Sequence, residues 1–300
     1  MKILPTRLFS INFSKYSQLT SILSSLLVGV SIYLIIFKGI DTSIDFKGGT
    51  IINVSTDTKI INLSSLRETL SQDLDQPVGV VEVESSTSKK DLILSMEYLA
   101  NEQILNSSLT KIYNNYSIDK IESIGPKIGD ELKINARNAI VAAFLLIGLY
   151  VTIRFDSYYA LGSLVALIHD VLITLGIFII MNIEISIAII AAFLTIVGYS
   201  LNDTIVIYDR IRENMLQNPH RDKKQIVDES LNQTLSRTIV TSLTTMIVVS
   251  ILYIYGGDVL KPFSFALIIG VFIGTYSSLF VASPIMLLLE NKFNIEIEES

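Results

Sequence analysis

The 300-residue sequence contains no cysteine, so neither a disulfide nor a thiolate metal site is open to it. It has no basic excess. The 23 Lys and Arg stand against 29 Asp and Glu, for a net charge of -6, whereas a nucleic-acid binder would carry a basic face. Internal repeats and low-complexity tracts are absent. Gly48-Gly49 is not followed by Lys-Ser/Thr, so the phosphate-loop pattern fails, and the two glycines read as a strand start or bulge. The first apolar run, 21–37, has no small-x-small cleavage site after it. Lys38-Gly39-Ile40-Asp41 follows instead, and the run reads as an uncleaved membrane span.

What is present is apolar length. Half of the residues are hydrophobic, close to the soluble average, so their distribution decides the class. They fall in runs of the ~20 residues that cross a hydrocarbon core. Six spans are expected: 20–37, 136–153, 159–181, 185–208, 238–255 and 263–289. Cations near the spans set orientation. Lys2, Arg7 and Lys15 in the first tail, Arg154 between spans two and three, and Arg210, Arg212, Arg221, Lys223 and Lys224 between spans four and five share one side. The opposite short loops, 182–184 and 256–261, are nearly free of cations. The tails 1–19 and 290–300 and the loop 209–237 are therefore expected to be cytoplasmic. Segment 38–135 is expected outside.

That segment reads as a small α+β domain. A strand is expected within 44–55, a helix over 63–74 capped by Asn62 or Ser64, strands over 78–83 and 91–98, a helix over 101–116 and a strand over 118–124. The order β-α-β-β-α-β is ferredoxin-like. The fold class is thus a six-span helical membrane protein with one extracytoplasmic ferredoxin-like domain.

Polar residues inside spans are the functional candidates, because a charge at the bilayer centre costs about 2.5–3.5 kcal/mol on insertion scales and normally faces protein or water. In span three, Gly162, Ala166, Asp170 and Thr174 lie on one helical face, with His169 beside Asp170. His169 is read equally well as a hydrogen-bonded structural residue or as a functional one. In span four, Thr195, Tyr199 and Asp203 share a face with Asn202 next to it, and Asp203 is a candidate for taking up and releasing protons. In span five, Arg237, Thr241 and Thr244 or Thr245 form a polar stripe. Arg237 either pairs with Asp203 or anchors the helix end. Gly270, Gly274 and Ser278 in span six form a small-residue packing face, and Pro284 is a candidate kink.

Five motifs, in order along nearly the whole chain, carry a resemblance. They are Asp45-Phe46-Lys47-Gly48-Gly49-Thr50, the run 124–129, the run 166–170 ending His169-Asp170, Gly198 to Thr204 with the run 209–214, and the run 236–245. Together they resemble the SecF side of the SecD/SecF family, within the resistance–nodulation–division superfamily. The resemblance implies pairing with SecD. It also implies work beside the SecYEG channel with SecA, and use of the proton gradient, with no other cofactor, to draw unfolded preproteins across the bacterial inner membrane. It implies Asp203 and Arg237 as a conducting pair, with Asp170 and Asn202 in the same path, and Asp45, Phe46, Gly48, Gly49, Gly198, His169, Gly270 and Gly274 as structural motif positions. Two rivals differ in class. A complete small-molecule exporter of this superfamily would carry twelve spans. An intramembrane aspartyl protease would match Tyr208-Asp209 but needs a Gly-x-Gly-Asp in another span, and Gly257-Asp258 is expected in a loop.

Overall fold

The computed structural model describes residues 11–56, 62–83, 90–97, 99, 102–113 and 115–298, without the side chains of 83, 90, 258, 259 and 291–298. Lys2 and Arg7 lie outside the described residues. The chain divides into two compact units, residues 1–41 with 138–300 and residues 42–137.

The smaller unit begins with a one-turn helix, α2 (Ile44–Lys47), numbered after α1 (Phe13–Phe37) of the larger unit. It continues through β1 (Gly49–Thr56), α3 (Leu63–Asp73), β2 (Gly79–Val83), β3 (Lys90–Met96), α4 (Glu102–Ile112) and β4 (Tyr116–Ile124). The sheet order is β2-β3-β1-β4, antiparallel throughout, as the ferredoxin-like order requires. Alternation along β1 and β3 turns Ile52, Val54, Leu92 and Leu94 inward, where Leu66 and Leu70 of α3 and Leu105 and Leu109 of α4 meet them. Asn62 caps α3, accepting from the backbone N–H groups of Ser64 and Ser65.

The strand expected within 44–55 occupies the second part of that segment. Residues 44–47 are helical and only Gly49 opens the strand. Ser43 caps the turn by accepting from the Asp45 N–H, and Phe46 is buried beneath it. Gly48 (φ +75°) and Gly49 (φ +137°) then redirect the chain, in a region open to glycine and rarely to other residues.

The α3–α4 contact contains an acid-sensitive tie. Asp73 accepts from Ser108 Oγ at 2.6 Å and from Lys111 Nζ at 3.2 Å. The Ser108 hydroxyl first, then Lys111, hold its carboxyl below the ordinary value of 3.8. A carboxyl lowered in the folded state contributes stability above its unfolded pKa and loses it as pH falls through the folded value. Hydrogen exchange at α4 amides should therefore accelerate below about pH 4 in the parent and show no such acid step in Asp73→Asn. Equal acid sensitivity in both would remove Asp73 as the cause.

The larger unit contains α1, the body of α5 (Pro126–Arg154), α6 (Ser157–Ile180), α7 (Ile187–Gln217), α8 (Lys223–Tyr255), α9 (Gly257–Ser277), a π-helical turn (Ser278–Ala282) and α10 (Ser283–Glu298). Six helices are long and apolar enough to cross a membrane, the last being Leu260–Glu290 across the π turn. Segment 209–237, expected as a loop, is helical except at 218–222. Its polar residues leave the apolar span without leaving the helix. Likewise α8 and α9 meet at Gly256, so the loop expected over 256–261 is a single residue. Pro284 stands just after the π turn. It has no N–H to offer the preceding turn, and a π turn is one way a helix absorbs such a gap.

Burial divides the helices by position. The spanning windows of α6 and Leu260–Glu290 are each 56% buried, against 11% for α1, 6% for α5 and 11% for α8. The inner helices pack through small residues. A Cβ on Gly274 would lie 3.0 Å from Ser200 Cβ, and one on Gly270 would collide with Ile196. That close approach is the packing mode of small-residue faces in membranes.

Both ends of α1 are fastened. At its start, Asn232 of α8 bonds both the N–H and the carbonyl of Ile11 at 2.8 Å, and Asp228 accepts from the N–H and hydroxyl of Ser14. At its end, Lys38 donates to the Ile179 carbonyl and to Asn182, and Asp41 accepts from the Ile185 N–H. Arg154 of α5 pairs with Asp209 of α7 at 3.0 Å, and Lys223 of α8 pairs with Glu290 at 2.8 Å.

Candidate functional site

Two carboxylates lie inside the bundle, in contrasting environments. Asp170 of α6 has no exposed surface. Its Oδ2 accepts from Ser200 Oγ of α7 at 2.7 Å and from Ser277 Oγ of α9 at 2.8 Å. Its Oδ1 lies 2.9 Å from His169 Nδ1. Three helices thus converge on one group. Gly162, Ala166 and Thr174 are buried with it along the same face of α6. Gly162 leaves room there for the Tyr208 hydroxyl, which donates to the Ala282 carbonyl.

Asp203 of α7 is 3% exposed and poorly held. Oδ1 accepts one long bond, 3.4 Å, from Thr241 Oγ of α8, and buried Oδ2 has no partner. A buried carboxyl oxygen left unpaired is costly. Asp203 lies inside the bundle, on a helix that continues unbroken to Gln217.

Arg237 is not brought onto Asp203. No ion pair joins them. Arg237 lies one turn before Thr241 on α8, exposed in a cleft with Asp209, Glu213 and Gln233. Thr241 donates to the Arg237 carbonyl as well as to Asp203, so the polar stripe of α8 reaches Asp203 through its threonine. Asn202 and Gly198 are exposed, and a Cβ on Gly198 would meet nothing within 4 Å. Thr195 is exposed, and Tyr199 donates to Ser242 at 3.3 Å.

The serines that hold Asp170 escaped the sequence reading. Ser200 and Ser277 lie 30 and 107 residues from it, and hydroxyls in apolar runs are too common to mark a partner. Among the described residues no group of acidic or His side chains could hold a metal ion. Asp209, the first aspartate of the protease reading, is half exposed and paired with Arg154. The side chain of Asp258 lies outside the described residues.

In the smaller unit the motif glycines meet one another's backbone. A Cβ on Gly48 would fall 2.9 Å from Pro126 Cα, and one on Gly129 would fall 2.8 Å from the Phe46 carbonyl oxygen. The Asp45–Thr50 and 124–129 motifs, remote in sequence, form one corner.

The family model described as "Protein export membrane protein SecD/SecF, C-terminal" matches residues 104–292. The chain is 36% identical to the protein translocase subunit SecF of Calditerrivibrio nitroreducens over 94% of this chain and 95% of that one. It is 40% identical to that of Rhodothermus marinus over 92% of each. The crystal structure of SecDF, a translocon-associated membrane protein from Thermus thermophilus, superposes with a TM-score of 0.84 at 35% identity, covering 94% of this chain and 39% of that one. A SecDF structure in a super-membrane-facing form superposes with a TM-score of 0.72 at 35% identity, covering 96% and 40%. The similarity extends over both units and all six long helices, and this multi-spanning chain belongs to the SecD/SecF family of protein export membrane proteins.

Proposed function

We propose that this chain is the SecF-type half of a SecD–SecF accessory to the Sec translocase, and that it converts proton movement through its bundle into late-stage export of preproteins. The observation that carries the reading is Asp203, a buried carboxyl with one weak hydrogen bond and one vacant oxygen. Intramembrane carboxylates are functional by default because their burial is costly. Arg237, one turn from the Thr241 contact, is the cation that answers Asp203 when the helices shift.

Pairing with SecD is supported by the outer helices. α1, α5 and α8 turn large apolar side chains outward, Leu145, Leu149 and Ile153 on α5 among them, and lipid and a partner's helices would cover these. This chain also corresponds to 39% of the length of the SecDF chain it superposes on. In this reading SecYEG and SecA deliver the unfolded preprotein. The ferredoxin-like unit faces the periplasm, and the end bearing Arg154, Arg210, Arg212, Lys223 and both tails faces the cytoplasm, as the cation rule requires. The bulk of the Asp209–Arg237 segment forms helical extensions on that side.

Collapsing the proton gradient tests the coupling ion. In inverted membrane vesicles containing this chain with SecD and the channel, a protonophore should remove the stimulation of preprotein translocation that the pair provides, while a sodium ionophore leaves it. Stimulation that survives the protonophore and vanishes with the sodium ionophore would assign the work to sodium.

A further inference from the structure

We propose that His169 and Asp170 form a second proton-holding site, loaded through the cleft between α1 and α6. This deepens the proton-driven reading and rests on it.

Asp170 accepts from donors on three helices and has no surface of its own. Such a carboxylate is costly to keep charged without a cation, and His169 is the one group bonded to it that can become cationic. His169 is 5% exposed, and its Nε2 is buried with no partner. Its ring borders a cleft of about 390 Å³ that is mostly apolar, with Val28, Leu172 and Phe280 among its lining, and that carries hydroxyls on one wall, Ser21, Ser24 and Ser25 of α1.

Every protonation state of this pair leaves something unmet. With one proton, on Nδ1 and shared with Asp170 Oδ1, the pair carries a net negative charge inside the bundle, and Nε2 offers a lone pair to nothing. With a second proton the pair is neutral overall, but Nε2–H is then a buried donor without an acceptor. Opposed costs of this kind balance a group between two states.

The neighbours add no fixed charge. From α9, Tyr276 stacks on His169 at 6.2 Å between centroids. Its hydroxyl meets Ser24 and donates to the Thr20 carbonyl. α1 faces the cleft with hydroxyls, and its Lys38 is engaged at the far end with Ile179 and Asn182. α7 contributes Ser200, with Asp203 three residues further along the helix. The π turn contributes no ionisable residue, and Glu290 of α10 is paired with Lys223.

The step balances simply. A proton entering along the serine wall of the cleft adds to Nε2 once α1 shifts from it, and the Nδ1 proton passes toward Asp170 Oδ1, so the pair gains one positive charge. Return of one proton to water restores it. Ser200 places this site on the same helix as Asp203.

The chain has two histidines, His169 and His220, so labelling histidine with 15N resolves the site directly. In the full chain assembled with SecD in lipid, the His169 ring signals should report both protonation states over the range of pH in which export is gradient-driven, with exposed His220 as the internal reference. His169→Gln should lower gradient-driven export about tenfold and flatten its pH dependence, where a purely structural role would lower export equally at every pH. A His169 signal fixed in one state across that range, or parental export by His169→Gln at every pH, overturns the proposal. Asp203→Asn distinguishes the levels. If Asp203→Asn exports normally, the proton-driven reading itself fails. If Asp203→Asn is inactive while His169→Gln is parental, only the second site fails.

Discussion

Asp203→Asn will keep the chain folded and bound to SecD while removing gradient-dependent export. The side chains are nearly equal in shape, the Thr241 bond can be kept, and the uncharged amide is less costly to bury than a carboxylate. What the amide cannot do is take up and release a proton. The gradient-dependent component should fall by roughly tenfold or more, the loss expected when a proton-transfer group is removed. Pulse-labelled export of a preprotein in cells producing only this variant measures it, with SecD co-purification as the assembly control. Parental export in such cells would end Asp203's proton role. Asp203→Ala is less informative, since it also opens a void beside Thr241.

Gly48→Ala is expected to unfold the corner of the smaller unit where Gly48 meets Pro126 at the start of α5. The position holds φ +75° with ψ 165°, a region nearly confined to glycine that costs a residue with a Cβ about 1–3 kcal/mol. The added methyl would also fall 2.9 Å from Pro126 Cα, and backbone cannot step aside as a flexible side chain can. Together these amount to about 2–4 kcal/mol, a large part of the stability of a domain this size. Limited proteolysis of the membrane-embedded protein should cut the variant within 42–137 under conditions that leave the parent whole. Resistance equal to the parent would mean that the corner rearranges cheaply.

The elements read most easily from sequence were those set by local period. Apolar runs of spanning length marked all six long helices, and short apolar or alternating runs marked the four strands of the smaller unit. Errors arose where polarity and backbone state part company. The one-turn helix Ile44–Lys47 ahead of β1 had no local period long enough to mark it and is set by the Ser43 cap and the Gly48 turn. Residues 209–217 and 223–237 are polar, which predicts departure from the apolar layer and not from the helix. At the site, an aspartate in an apolar run is conspicuous by its cost, so Asp170 and Asp203 were legible. Their different states were not. Whether a carboxyl is satisfied depends on hydroxyls from other helices, Ser200 and Ser277 for one and Thr241 for the other, and no local pattern specifies those distances. Arg237 was one of two readings for Asp203's partner, and in the packed helices it is Thr241 of the Arg237 stripe that bonds Asp203.

The fastening of α1 also has a temporal side. Ile11 and Ser14 are held by Asn232 and Asp228, separated from them by 221 and 214 residues. At about 5–20 residues per second of synthesis, α1 is made roughly 10–45 s before the anchor of its starting end exists. Its other end can dock sooner, because Ile179 of α6 is only 141 residues from Lys38. The nascent chain therefore fastens α1 in two steps, far end first, and the starting end is secured only when α8 arrives.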